Sequence, residues 1–319
     1  MKRYFIIISI FLSLVIGFIS LTSLVKCYYL TFKYQDYDFV KEGKYHFILV
    51  LKEDDVFWNK VVDGAKKAAK KYNVTLSILK EDYFDIDSHL DLIDRAIESS
   101  PDGIISYTLN DKKYENIVNR SIDKKIPFIT LDVDVLKSKR DAFIGTNNYY
   151  TGIVLAKKII KAIDNKGYIG IVMNNEENSF MLTGIYGEVS RHDGVSIVDT
   201  RYIDTKRVNT YKVIEDMVIN NRELKGIICI DPYATYMAGQ VIVRQNKVGK
   251  IKLVGTGDLE GTLRFIKKGI IEGTVVRDPY KMGYKAVETM YKIKEGEFID
   301  DTIFIELKYI SKGLLLDEE

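Results

Sequence analysis

The sequence predicts an α/β protein built as two similar, doubly wound lobes behind one apolar amino-terminal segment. Three observations predict it. The stretch Tyr45–Leu51 is nearly all apolar, as a parallel strand covered on both faces must be. A polar loop follows, then a helical run with Val61, Val62, Ala65, Ala68, Ala69 and Tyr72 on one side and lysines on the other. That strand–loop–helix unit recurs in two runs of similar length, the rhythm of a parallel sheet with crossover helices.

At the front, Lys2 and Arg3 precede an uncharged, mostly apolar run from Tyr4 to Val25, long enough to cross a bilayer. The two basic residues place the amino terminus in the cytoplasm and the rest outside. A cleaved signal peptide is the competing reading; the length of the run and the lack of an A-x-A-like site stand against it. A lipoprotein site would use Cys27, yet Lys26 stands before it where a small residue is expected. Tyr28, Tyr29, Tyr34 and Tyr37 suit a membrane interface, and a short tether leads on to Gly43.

The first run continues with strand Asn73–Leu79, a helix between Asp87 and Ser99, and strand Ile104–Tyr107 after the turn Pro101-Asp-Gly103. Helix Tyr114–Ile122, strand Pro127–Leu131 and the short strand Ala142–Ile144 complete it. The second run takes helix Tyr149–Ile163, strand Tyr168–Val172, a helix near Phe180–Arg191 and strand Val195–Thr200. Helix Arg207–Ile219, strand Gly226–Ile230, a helix after Pro232, strand Ile251–Gly255, helix Gly261–Lys268 and strand Gly273–Arg277 follow. A long helix from Asp278 to Lys294 and a last strand Ile303–Tyr309 close the chain.

Ligands of open α/β sheets bind beyond the carboxyl ends of the strands, so the polar residues there are the site candidates. Asp54, Asp55, Phe57 and Trp58 follow the first strand. Ionised carboxylates hold hydroxyl donors strongly, and aromatic faces suit the C–H face of a pyranose. An N-cap aspartate followed by buried aromatics explains the same residues equally well. Asp132 and Asp134 end a strand; ligand hydroxyls, acid/base chemistry, a metal or a capped turn would each suit them. Asn147 and Asn148 join the two runs, as polar ligands or as turn and cap. In the second run Asp231, Asp258 and Arg277 stand at strand ends, and topology converges all of these on the gap between the lobes.

Several function classes are excluded. The net charge of +2, with acids and bases interspersed, gives no nucleic-acid footprint. Two cysteines exclude a disulfide framework. No G-x-G-x-x-G follows a strand, and neither a Walker A motif nor a G-x-S-x-G elbow occurs, so the sequence implies no cofactor and no enzyme. His46, His89 and His192 share no metal-ligand spacing with the acids.

Asp55-Val-Phe-Trp58 with Asp63-Gly-Ala65, Pro101-Asp-Gly-Ile-Ile105, Ile126–Asp134, Ile144-Gly-Thr-Asn-Asn148, Val254–Asp258 and Val276–Tyr284 occur in that order. In this order and spacing the chain resembles the type I periplasmic sugar-binding proteins of the ribose, galactose and xylose kind, over residues 44–310. The resemblance implies two lobes joined by a three-strand hinge that close on a sugar. With the apolar run as an anchor over 4–25 and a tether over 26–43, it implies a first lobe of 44–146 plus 278–305 and a second of 147–277 plus 306–319. Phe57 and Trp58 would stack on the sugar ring, and Asp55 and Asp132 would hold its hydroxyls. Asp231 and Asp258 would act from the other lobe, with Asn147 and Arg277 at the crossings. The sequence departs from the family at Val133 and Met181, where arginines are common; two lost guanidiniums argue against ribose, and Lys52, Arg277 and Asn175 are the candidates to replace them. With its anchor, the chain resembles membrane-anchored clostridial xylose sensors that partner a LytS-type histidine kinase. Service to a sugar permease of the ATP-binding-cassette class is the alternative.

Overall fold

The computed structural model describes residues 17, 20–22, 43–52, 55–81, 84–174, 179–203 and 209–317. The expected anchor and tether therefore lie almost wholly outside the described residues, as do Asp54 and Asn175. Among the described residues no helix is long and apolar enough to cross a membrane.

The first run folds as β1 (Tyr45–Val50), α1 (Val56–Tyr72), β2 (Val74–Leu79), α2 (Ile86–Glu98), β3 (Gly103–Tyr107), α3 (Lys112–Asp123), β4 (Phe128–Asp132) and β5 (Ala142–Gly145). The second folds as α4 (Asn148–Ala162), β6 (Gly167–Asn174), α5 (Ser179–Val189), β7 (Val195–Ile203), α6 (Thr210–Asn220), β8 (Leu224–Cys229), α7 (Pro232–Arg244), β9 (Lys252–Thr256), α8 (Glu260–Lys267) and β10 (Gly273–Val276). Helix α9 (Pro279–Lys294), β11 (Thr302–Phe304), β12 (Lys308–Ser311) and α10 (Lys312–Asp317) follow.

The strands form two six-stranded sheets, ordered β11-β5-β4-β3-β1-β2 and β12-β10-β9-β8-β6-β7. Stripped of the last strand of each, both read second–first–third–fourth–fifth, so the lobes are topological copies. The central strands are apolar on both faces and buried, with Phe47, Leu49, Ile105, Ile129 and Ile144 in one core and Ile171, Ile228 and Val254 in the other lobe. Helices cover both faces of each sheet, which is why the strands read as continuous apolar runs rather than alternating ones.

The sequence suggests one closing strand over Ile303–Tyr309; the structure divides that run between the sheets. Its first part, β11, runs parallel to β5, pairing Phe304 with Gly145. Its second, β12, runs antiparallel to β10, pairing Lys308 with Val276. One extended run that leaves the first sheet beside the carboxyl end of β5 thus enters the second beside the carboxyl end of β10. The carboxyl ends of the two sheets therefore face each other. The chain also changes lobe between β5 and α4 and between β10 and α9, so three connections join the halves.

Each lobe receives a helix from the other. Helix α9, arriving from β10, crosses α1; helix α4, arriving from β5, crosses α5. Both crossings are made by facing glycines. A Cβ on Gly64 would lie 1.9 Å from the Tyr280 carbonyl oxygen, and one on Gly283 1.9 Å from that of Val61. In the second lobe Gly152 and Gly184 stand in the same relation to Met181 and Tyr149. The start of α9 is thereby fixed against α1, which sets Arg277, two residues before α9, relative to Phe57 on the first turn of α1.

Candidate functional site

Local capping orders the cleft edge first. The Asp55 carboxylate accepts the Trp58 backbone N–H at 2.8 Å and starts α1. Asn147 does the same for α4 through the Tyr150 N–H at 2.9 Å, and Asp231 for α7 through the Ala234 N–H at 2.8 Å. These caps satisfy backbone donors that the first helical turn leaves open. They also pin three polar side chains at strand ends, Asp231 with only 3% of its surface exposed.

Asp132 is placed by a different device. Its φ is 68°, and the Val133 N–H bonds back to the Leu131 carbonyl at 2.9 Å, closing a three-residue turn. A γ-turn in the left-handed region is rare and strained, and such strain collects at functional positions. The turn ends β4 abruptly, and the carboxylate meets a residue 145 positions away: Arg277 Nη1 donates to Asp132 Oδ1 at 2.6 Å. The Asp132 side chain is 10% exposed and that of Arg277 40%. The same guanidinium carbon lies 4.2 Å from the centre of the Phe57 ring.

Phe57, Asp132 and Arg277 thus meet where the two sheets face. Trp58 stands edge-on to Phe57 at 5.1 Å and to Tyr107 at 5.4 Å, and at 4% exposure its ring belongs to the core of the first lobe. Asp258 is exposed and faces Lys60 of α1, with Nζ 3.5 Å from Oδ2, a second bridge between the lobes. Asp134 parts from Asp132: it takes the fork of Arg140 and the Thr130 hydroxyl, and Arg140 also donates to the Asp301 carbonyl at 2.7 Å. That carboxylate ties the β4–β5 loop to the approach of β11. Among the described residues no cluster of three or more His, Cys, Asp or Glu side chains could hold a metal ion.

Sequence reasoning named Lys52 as a stand-in for a lost guanidinium but missed the aromatic and histidine floor of the first lobe beneath it. The Lys52 ammonium lies 4.9 Å over the Phe84 ring and 5.5 Å over that of Tyr107. Beneath them His89 is fully buried, with Nδ1 2.9 Å from the Tyr114 hydroxyl and Nε2 without a partner among the described residues. Burial, and then the nearby Lys52 charge, push His89 down to about 4, so it is neutral in the folded lobe. The Thr146 and Thr256 hydroxyls, at the ends of β5 and β9, are also buried without a partner among the described residues. Lys60 reads as a solvated helix face, and only the three-dimensional approach of the β9–α8 loop shows its partner.

A family model described as periplasmic binding protein domain matches residues 45–298. The ribose import binding protein RbsB of Haemophilus influenzae is 23% identical over 266 residues, 81% of this chain and 88% of that protein. Among solved structures, GanP, a glucose-galactose binding protein from Geobacillus stearothermophilus, superposes with a TM-score of 0.78 at 29% identity, covering 84% of this chain and 98% of GanP. A chain of the XylFII-LytSN complex superposes with a TM-score of 0.75 at 25% identity, covering 85% of this chain and 98% of that one. The match runs from β1 past the end of α9 and takes in five strands of each sheet; the chain belongs to the periplasmic binding protein domain family.

Proposed function

We propose that the chain binds a monosaccharide between its lobes, with a pentose such as xylose favoured, and that a sensor histidine kinase reads the closure. In this reading it is a single-pass protein of the cell membrane, held by residues 4–25 with both lobes outside. The observation that carries the reading is the meeting of Phe57, Asp132 and Arg277 between the carboxyl ends of the sheets. An aromatic face takes the apolar side of a sugar ring, and an ionised carboxylate takes its hydroxyl protons in bonds about twice as strong as neutral ones. Asp55, Asn147 and Asp258 supply further polar groups at the rim, Asp231 a buried one at the end of β8, and Trp58 backs Phe57. The sugar named for RbsB and those named for GanP support the ligand class, and the XylFII-LytSN complex supports a LytS-type partner. The relatives are named as binding proteins, which supports binding without turnover.

The sugar acts by its differential affinity for the closed arrangement, shifting the population of lobe positions that the partner meets. A thermal-shift panel of pentoses and hexoses tests the ligand. A true ligand far above its dissociation constant raises the melting temperature by stabilising only the folded form. A flat panel refutes sugar binding. Loss of the transcriptional response to that sugar on deleting the kinase supports sensing, and an unchanged response refutes it. The second reading, the binding component of a sugar importer, is favoured by the import role in the name of RbsB. A lipidated Cys27 at the mature amino terminus, detected by mass spectrometry, would favour it.

A further inference from the structure

We propose that Arg277 determines the specificity of the cleft by competition: its guanidinium fills the aromatic face and the carboxylate that a sugar must take. This rests on the sugar-binding reading. At 4.2 Å from the Phe57 ring centre, the guanidinium is in van der Waals contact, and no second group fits between them. Its Nη1 holds Asp132 Oδ1 at 2.6 Å, the one ion pair found for that carboxylate among the described residues. Phe57 is fixed in the first turn of α1, and Asp132 by its left-handed turn. Arg277 is the movable member. It stands on the connection between β10 and α9, and its side chain is 40% exposed.

A ligand that stacks on Phe57 and bonds Asp132 therefore takes both contacts from Arg277. Replacing a charged N–H donor with one neutral hydroxyl is a losing exchange, because a hydrogen bond with two ionised partners is the stronger. Two hydroxyls on adjacent carbons, one for each carboxylate oxygen, make up the difference. The device thus admits a ring with an apolar face and a vicinal diol, and rejects analogues that lack either hydroxyl. Arginine does this better than lysine, since its planar fork both stacks and bonds.

Calorimetry on the full-length chain in detergent tests it, with pentoses, hexoses and their monodeoxy analogues titrated into wild type, Arg277→Ala and Arg277→Lys. Arg277→Ala is expected to bind the best sugar of the panel about ten-fold tighter, and the penalty for a missing hydroxyl is expected to shrink. Arg277→Lys should fall between. Equal or weaker binding by Arg277→Ala overturns competition and leaves sugar binding intact, and weaker binding makes Arg277 a direct ligand contact. A panel in which no chain binds any sugar overturns the sugar reading and this one with it. If Arg277→Ala fails to fold, Arg277→Lys decides on the same criterion: tighter binding supports competition, and equal or weaker binding overturns it.

Discussion

The two lobes share a strand order and a glycine-to-glycine helix crossing, yet they treat one equivalent position in opposite ways. After the fourth strand of each sheet the chain turns through the left-handed region. In the second lobe that residue is Gly257, with φ of 86°; in the first it is Asp132, with φ of 68°. Glycine enters that region freely, whereas an aspartate is held there at a cost of about 1–3 kcal/mol. The second lobe has no room for a side chain there, because a Cβ on Gly257 would lie 2.4 Å from the Pro232 Cβ. Duplicated topology therefore builds a cleft with two equal walls. Only the first wall accepts strain in order to present a carboxylate, and the second supplies the cation that meets it.

The largest expected effect separates two neighbours on the first wall. Trp58→Ala empties a place in the first lobe's core and should lower folding stability by roughly 4 kcal/mol in urea denaturation. Phe57→Ala, at the edge of that core, should lose much less stability and act mainly on sugar affinity. Equal losses of stability would mean that the first wall has no division between packing and binding side chains.

Acid should also tell the lobes apart. His89 is held at about 4 by burial, below its ordinary 6.5, so the unfolded chain takes up a proton that the folded first lobe refuses. The stability it contributes is complete above about pH 6.5, falls as the pH drops toward 4, and changes no further below that. The loss reaches roughly 3 kcal/mol over that window. His89→Phe should flatten that limb of a pH titration of the melting temperature. Proton uptake at His89 should loosen the first lobe in hydrogen exchange as the pH falls toward 4. An unchanged limb in His89→Phe would assign the acid sensitivity elsewhere.

Exchanging the turn residues tests the comparison directly. Gly257→Asp places a side chain in a left-handed turn against Pro232 and should cost roughly 2–3 kcal/mol of stability. Asp132→Gly relieves strain while giving up the Arg277 pair, so stability should stay within about 1 kcal/mol of wild type. Its sugar affinity should fall by about 2 kcal/mol, the range of a hydrogen bond to a charged group. If Asp132→Gly bound sugar as well as wild type, the strained aspartate would have no part in the site.

What the residues reveal in order follows from range. Apolar strand runs, one-sided helices and N-cap residues are local patterns, so both lobes and the positions of Asp55, Asn147 and Asp231 were legible. Asp55 and Asn147 do cap their helices, the plainer of the two readings for each, and Asp231 caps α7 without the sequence having offered that reading. The meeting of Arg277 with Phe57 and Asp132 depends on α9 crossing α1 through Gly64 and Gly283, and no window of sequence contains it. The left-handed turn at Asp132 carried no glycine to announce it. The closing run read as one strand because alternation does not record which sheet a residue joins.

The smallest effect concerns the outer rim, where Lys60 of one wall faces Asp258 of the other. Both side chains are about half exposed, at 50% and 56%, so water and salt screen them, and such pairs contribute under about 1 kcal/mol. Under the proposed lobe closure the pair bridges the two walls only when they are closed, so it acts only on that arrangement. Lys60→Glu should therefore speed sugar release by a few-fold while leaving the melting temperature nearly unchanged. Asp258→Lys added to it restores the attraction with the charges exchanged, and release should slow again. If the double exchange releases sugar as fast as the single one, Asp258 acts on the ligand itself rather than on the opposite wall.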